Sequence, residues 1–379
     1  ISALVAGFVA VLVGFTSSVA IIFQAAAALN ASPEMIGSWI AALSFGMGIT
    51  SIGLSLRYRM PILTAWSTPG AALLATSLAG YSLPEAIGAF IFSALLITLL
   101  GVSGLFEKLM SRIPLPIAGA MLAGVLLRFG LDVFRSMETR FLLAGGMFLI
   151  FLATKRILPR YAALAALAGG ILIAYGQGSL DFGGFRLGIA APIFTMPEFN
   201  LRALIGIGLP LFIVTMASQN IPGIAVLRGA GYSPPISPLI TWTGIANLAA
   251  APFGGFALNL AAITAAICMG KEAHEDKNKR YLAAIAAGAF YLLVGIFGAT
   301  VAALFQAFPK ELVFAIAGLA LLGTIANALE TALRDAKFRE PALITFLVSA
   351  SGLSLLGIGA AFWGLVAGLL AWFIAAKKS

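Results

Sequence analysis

The polar clusters that interrupt the apolar runs of this chain are built from neutral hydrogen-bonding side chains. Thr16-Ser17-Ser18, with Gln24 about two turns later, interrupts the first run, and Ser218-Gln219-Asn220, followed by Ile221-Pro222-Gly223, interrupts another half a chain away. Two further runs, Met60 to Gly80 and Ala251 to Gly270, break at their middles. One reads Ala65-Trp66-Ser67-Thr68-Pro69-Gly70 and the other Gly255-Phe256-Ala257-Leu258-Asn259-Leu260. The chemistry such groups can do is binding by neutral donors. Catalysis would call for a nucleophile beside a base, a cluster of metal ligands or a phosphate loop, and none of these is visible. The single cysteine, Cys268, excludes intrachain disulfides and thiolate clusters, and the single histidine, His274, sits in the polar run Lys271 to Arg280. The expectation is a protein that is not an enzyme and uses no metal or cofactor.

What positions these groups follows from composition. With 61% hydrophobic and 10% charged residues and a mean hydropathy of +1.05, the chain is a polytopic membrane protein, all-α because only helices satisfy their own backbone in lipid. Runs near the length needed to cross a bilayer give 14 segments: 2–26, 33–54, 61–78, 83–109, 114–135, 138–157, 160–176, 200–228, 234–251, 253–270, 278–306, 309–332, 340–357 and 359–376. The net charge of +9 reports topology rather than a nucleic-acid partner. Loops on the side of the chain ends hold 17 of the 23 Lys and Arg residues and the opposite side 6, which places both termini in the cytoplasm. No cleavable signal peptide is apparent.

The two halves of the chain share an order. Each has an apolar segment with a central polar cluster, then a Ser-Pro-started segment carrying a tryptophan (Trp39, Trp242), then a broken segment. Seven segments per half is odd, so the halves would enter the membrane from opposite sides as an inverted repeat, joined by the Gly- and Pro-containing stretch 177–198, read as an external connector with room for a short hairpin. Broken segments at matching positions point to a substrate site, because a half-helix start offers unpaired N–H groups and a partial positive charge that suit an anion. Pro69 and Gly70 suit the first turn, Thr68 is the expected cap, and laying Trp66 on Phe256 puts Asn259 where Pro69 stands. The plain alternative is that Pro69 and Gly254-Gly255 kink ordinary helices.

Buried amides need partners, so consecutive Gln219 and Asn220 point to a ligand or water, whereas Thr16 and Ser18 also suit hydrogen bonding between helices. Trp66 and Phe256 are candidates for packing a substrate ring, and equally for ordinary core. The acids lie in loops or near segment ends, and Arg128/Asp132 and Glu330/Arg334 read as helix-face ion pairs.

Gly14-Phe15-Thr16-Ser17-Ser18, the Ala65 to Gly70 break, Ser218 to Gly223 and Phe253-Gly254-Gly255-Phe256-Ala257-Leu258-Asn259 resemble the BenE family of bacterial benzoate transporters over essentially the whole chain. That resemblance implies a benzoate/proton symporter of the inner membrane, distantly similar to uracil permeases and sulfate transporters. Their seven-plus-seven inverted fold implies a core domain (1–110 and 199–307) that moves against a gate domain (111–176 and 308–379). It implies a substrate site at Thr68-Pro69-Gly70 and Leu258-Asn259-Leu260, with Ser17, Ser18, Gln24, Trp66, Ser218, Gln219, Asn220 and Phe256 around it. Uracil permeases carry a glutamate in the eighth segment where this chain has Ser218-Gln219-Asn220, so proton coupling rests on the resemblance alone. Coupling has a physical reason: an anion entering a negative-inside cell works against about 2.3 kcal/mol per 100 mV, which one proton cancels. The partners expected are an aromatic carboxylate, a proton and the lipid bilayer, with no nucleic acid and room for a homodimer. The rival expectations are an uncoupled anion channel or facilitator, a transporter of nucleobase-like substrates and, last, a membrane enzyme.

Overall fold

A computed structural model describes residues 2–106, 108, 114–183, 187–271, 273–356, 358 and 360–376, without the side chains of Ser17, Arg160, Gly229, Ile263, Ala375 and Ala376. In the first half, α1 (Ser2–Ala27) and α2 (Pro33–Tyr58) precede a short strand, β1 (Thr64–Trp66), that runs into α3 (Thr68–Ser77). There follow α4 (Leu83–Val102), α5 (Leu115–Thr139), α6 (Phe141–Ile157) and α7 (Ala162–Gly176). The second half opens with α8 (Leu201–Arg228) and α9 (Ile236–Ala250), then a second strand, β2 (Leu258–Leu260), and the short α10 (Ile263–Met269). After them come α11 (Tyr281–Ile296), α12 (Gly298–Gln306), α13 (Lys310–Leu333), α14 (Arg339–Ala350) and α15 (Ala360–Ala376).

Among the described residues seven helices are long and apolar enough to cross a membrane. The other predicted segments fall on shorter helices or on the two strand-helix units. Local chemistry sets the ends: Ser32 caps α2 just before Pro33, and Ser82 and Glu85 form a reciprocal capping box on α4, with Ser82 N–H donating to Glu85 Oε2 at 2.7 Å. Helices approach closely where glycines face one another. A side chain at Gly48 of α2 would meet Gly288 O of α11 at 2.8 Å, so both positions need a bare backbone.

The two strands pair with each other, antiparallel, with Thr64 opposite Leu260, Ala65 opposite Asn259 and Trp66 opposite Leu258. A two-stranded ribbon at the centre of a membrane protein has two open edges, and open edges are intolerable in lipid unless protein completes them. Side chains do so here. Asn247 of α9 accepts from Leu258 N–H at 2.6 Å and donates to Leu258 O at 2.8 Å; Asn220 of α8 accepts from Leu260 N–H at 3.0 Å. On the other strand Ser51 accepts from Thr64 N–H at 3.0 Å and Met47 Sδ from Trp66 N–H at 3.1 Å.

Taken in chain order, the two strands end at Trp66 and Leu260, four residues beyond the alignment of Trp66 on Phe256 that the sequence suggests. A 3-10 turn at Ala251–Phe253 and the left-handed Gly254 lengthen the second lead-in and cause the shift. The connector is a strap rather than a hairpin: its described part has no strand, and Gly188, Ile193, Thr195 and Glu198 N–H groups donate to Thr300 Oγ1, Ser38 Oγ, Pro252 O and Pro84 O.

Candidate functional site

Where the ribbon meets α1, α3 and α8, the chain encloses a cavity of about 410 Å³, within the usual range for small-molecule sites. Its inner wall carries Val13, Gly14 and Ser18 of α1, Ala65 and Trp66 of β1, Thr68 of α3, Ser218, Gln219 and Pro222 of α8, Thr264 of α10 and Tyr291 of α11. The opposite wall is Leu115, Ala118, Gly119 and Leu122 from the first half of α5, with Thr324, Asn327, Ala328 and Thr331 from the second half of α13. Leu115, Asn327 and Thr331 are exposed and mark the mouth. Among the described residues no acidic or basic side chain lines this space.

Each inner-wall group is held by its element. Ser18 Oγ donates to Gly14 O at 2.7 Å and accepts from Trp66 Nε1 at 2.6 Å, which pins the indole to α1; Phe15 packs against it at a tilt of 53° with ring centroids 5.2 Å apart. Thr68 is the first residue of α3, and the cap is Ser67, whose Oγ accepts from Gly70 N–H at 2.9 Å. Ser67 therefore takes the role the sequence gave to Thr68, and among the described residues the Thr68 N–H and hydroxyl have no protein partner.

In α8 the ladder widens to a π segment over Met216–Asn220, where Ile221 N–H reaches Met216 O. Pro222 has no N–H to return to the preceding turn, so a regular α ladder cannot continue through it; such bulges recur at functional sites. The segment separates the two neighbouring amides. The Gln219 side chain lines the cavity with no hydrogen bond to the described residues, while Ser218 Oγ donates to Val214 O at 2.5 Å.

Other expected site residues lie elsewhere. Asn220 is fully buried against the ribbon, donating to Asn259 Oδ1 at 3.1 Å, and Asn259 donates to Ala257 O at 2.6 Å. The Asn220 amide completes backbone that β2 leaves open, and the Asn259 amide adds a second donor to Ala257 O, which also accepts from Ser67 N–H at 2.8 Å. Leu258 and Leu260 are buried strand residues, and Asn259 stands in the strand, not at a helix start. Phe256 joins Trp39 and Phe90 at centroid distances of 6.0 and 5.7 Å in an aromatic cluster, so it packs the core rather than a ligand. Pro69 and Gly70 are buried in the first turn of α3, and Gln24 is half-buried; none of the three is on the cavity wall. The Ser17 side chain is outside the described residues. Asp132 pairs with Arg135 at 3.3 Å and Arg128 at 3.8 Å, whereas Glu330 and Arg334 are exposed and form no ion pair with described residues.

Sequence reasoning missed Met47, Thr264, Tyr291 and the whole outer wall. The spacing Thr324, Asn327, Thr331 in an apolar helix was a readable polar stripe. Tyr291, in an Ala-rich apolar helix that also begins with Tyr281, gave no signal.

Residues 1–374 match the family model described as BenE, benzoate membrane transport protein. The chain is 51% identical to the inner membrane protein YdcO of Escherichia coli (strain K12) over 96% of its own length and 93% of that protein's. It is 45% identical to the benzoate membrane transport protein of Acinetobacter baylyi over 100% of its own length and 96% of that protein's. Among solved structures, the transmembrane domain of the cyanobacterial bicarbonate transporter BicA matches at a TM-score of 0.61 with 15% identity, covering 99% of this chain and 97% of that one. SLC26A9 matches at 0.62 with 13% identity, over 97% of this chain and 65% of that one. Identities this low speak for the fold alone, a mostly helical transporter fold.

Proposed function

Because the chain belongs to the family of benzoate membrane transport proteins, and is a multi-pass membrane transporter rather than an enzyme, we propose that it imports benzoate or a similar aromatic carboxylate, with a proton, by alternating access. The observation that carries this reading is the cavity itself: an apolar space beside a strand-helix break, bounded by two separate sets of helices, with unpartnered neutral donors on one wall. The aromatic ring packs on Trp66 and the aliphatic wall. The carboxylate accepts from the Gln219 amide and from the Thr68 N–H and hydroxyl, the dipole of α3 adding to the attraction.

In this reading the 14 segments form a seven-plus-seven inverted repeat. The core (1–110 and 199–307) carries the donors and moves against the gate (111–176 and 308–379), which supplies the outer wall. The mouth lies at the ends of α5 and α13 that lead into the basic loops, so with both termini cytoplasmic the conformation is inward-facing. With no carboxylate among the described lining residues, the proton travels with the substrate or with water held at Ser218 and Gln219. Calorimetric titration of benzoate into purified protein tests the site. Gln219→Leu removes a hydrogen bond to a charged group and should weaken binding by about 10- to 150-fold; unchanged affinity would remove Gln219 from the site.

A further inference from the structure

Benzoate has one polar end, and the cavity has more unpartnered polar groups than that end can engage. Beyond Gln219 and Thr68, Tyr291 of α11 and Thr264 of α10 line the inner wall, 2% and 8% exposed, and neither hydroxyl has a hydrogen-bond partner among the described residues. Buried hydroxyls are ordinarily paired, and one that faces a cavity unpaired is completed by water or ligand. Both side chains flank Gly14: a methyl group there would stand 3.0 Å from Thr264 Cγ2 and 3.4 Å from Tyr291 Oη. The absence of a side chain at Gly14 keeps the patch around it open. At the mouth, Thr331 Oγ1 already donates to Asn327 O at 2.8 Å and the Asn327 side chain is exposed, so neither makes a comparable demand.

We infer that the patch formed by Tyr291, Thr264 and Gly14 binds a second hydrogen-bonding group on the substrate ring, and that ring-hydroxylated benzoates are preferred over benzoate. The inference rests on the aromatic-carboxylate reading above. Tyr and Thr hydroxyls each donate and accept, which matches a ring hydroxyl in either orientation. A second carboxylate does not fit: no cation among the described residues lines the cavity to offset another negative charge. A hydroxyl next to the carboxylate is engaged internally, so the meta and para positions are the ones the patch can read.

The test is calorimetry on the purified full chain with benzoate, 3-hydroxybenzoate, 4-hydroxybenzoate and isophthalate. At least one hydroxybenzoate should bind about 2- to 12-fold more tightly than benzoate, the range one net hydrogen bond produces, and isophthalate should not bind. Tyr291→Phe and Thr264→Val should each bring the hydroxybenzoate-to-benzoate affinity ratio towards one. A ratio of two affinities measured on the same sample is independent of the folded fraction, so partial misfolding does not mimic the effect. If neither hydroxybenzoate outbinds benzoate in the unchanged protein, or if the ratio persists in both variants, the inference is overturned. Failure of benzoate itself to bind would instead defeat the transport reading, and the inference with it.

Discussion

Gln219 and Asn220 are adjacent amides in one π segment, and the structure assigns them opposite consequences on substitution. Asn220 is fully buried, accepts from Leu260 N–H at 3.0 Å and donates to Asn259 Oδ1 at 3.1 Å. Asn220→Leu keeps the approximate volume but strands both partners, a backbone donor and a side-chain acceptor, in a site without water. Each orphaned group costs about 1–3 kcal/mol, so the variant should lose roughly 2–6 kcal/mol of stability. The Gln219 side chain has no hydrogen bond to the described residues, so Gln219→Leu orphans nothing and should melt at or slightly above the unchanged protein while losing benzoate affinity. The assay is an apparent melting temperature in detergent, read at one fixed scan rate because membrane proteins unfold irreversibly, with calorimetric titration of benzoate on the folded fraction. Asn259→Leu belongs with Asn220→Leu, since its amide also serves the ribbon. The reasoning fails if Gln219→Leu melts as low as Asn220→Leu, or if Asn220→Leu is as stable as the unchanged protein.

Neutralising acids should leave coupling intact. Asp132 is bound by arginines that are themselves mostly exposed, a pairing worth no more than about 1 kcal/mol, and Glu330 is solvent-exposed, so Asp132→Asn and Glu330→Gln should still accumulate benzoate under an inward proton gradient. A folded variant that binds benzoate yet cannot concentrate it would identify its residue as the coupling site. For topology, a cysteine replacing Lys279, which is 60% exposed at its side chain, should resist membrane-impermeant thiol reagents in intact cells. Labelling from outside would reverse the proposed orientation.

The helices were legible because hydropathy and capping are local: Ser32-Pro33 and Ser82-Leu83-Pro84-Glu85 announce helix starts without reference to anything distant. The two breaks were legible for the same reason, since no helix reads through Ser67 to Gly70 or Phe253 to Gly255 undisturbed. Their register was not. It depends on strand pairing between residues half a chain apart and on the 3-10 turn at Ala251–Phe253, neither of which is encoded in a short window. The same limit applies to side-chain direction. Composition marks Gln219 and Asn220 as equally costly amides, and only the π segment with its neighbouring ribbon turns one to the cavity and the other to the backbone. Phe256 and Trp66 look interchangeable in sequence, yet one meets Trp39 and Phe90 and the other Ser18 and the cavity. Tyr291 and the α13 stripe depended on which faces of long helices point inward, a property of packing.

Benzoate uptake into proteoliposomes holding the purified protein, with and without an inward proton gradient, tests the central claim most directly. The account predicts accumulation above the external concentration when the gradient is imposed, its collapse on adding a protonophore, and a marked reduction of that accumulation in Gln219→Leu at benzoate concentrations below the variant's weakened Kd. Uptake that only equilibrates, at the same rate with or without the gradient, would contradict it and make the protein an uncoupled facilitator.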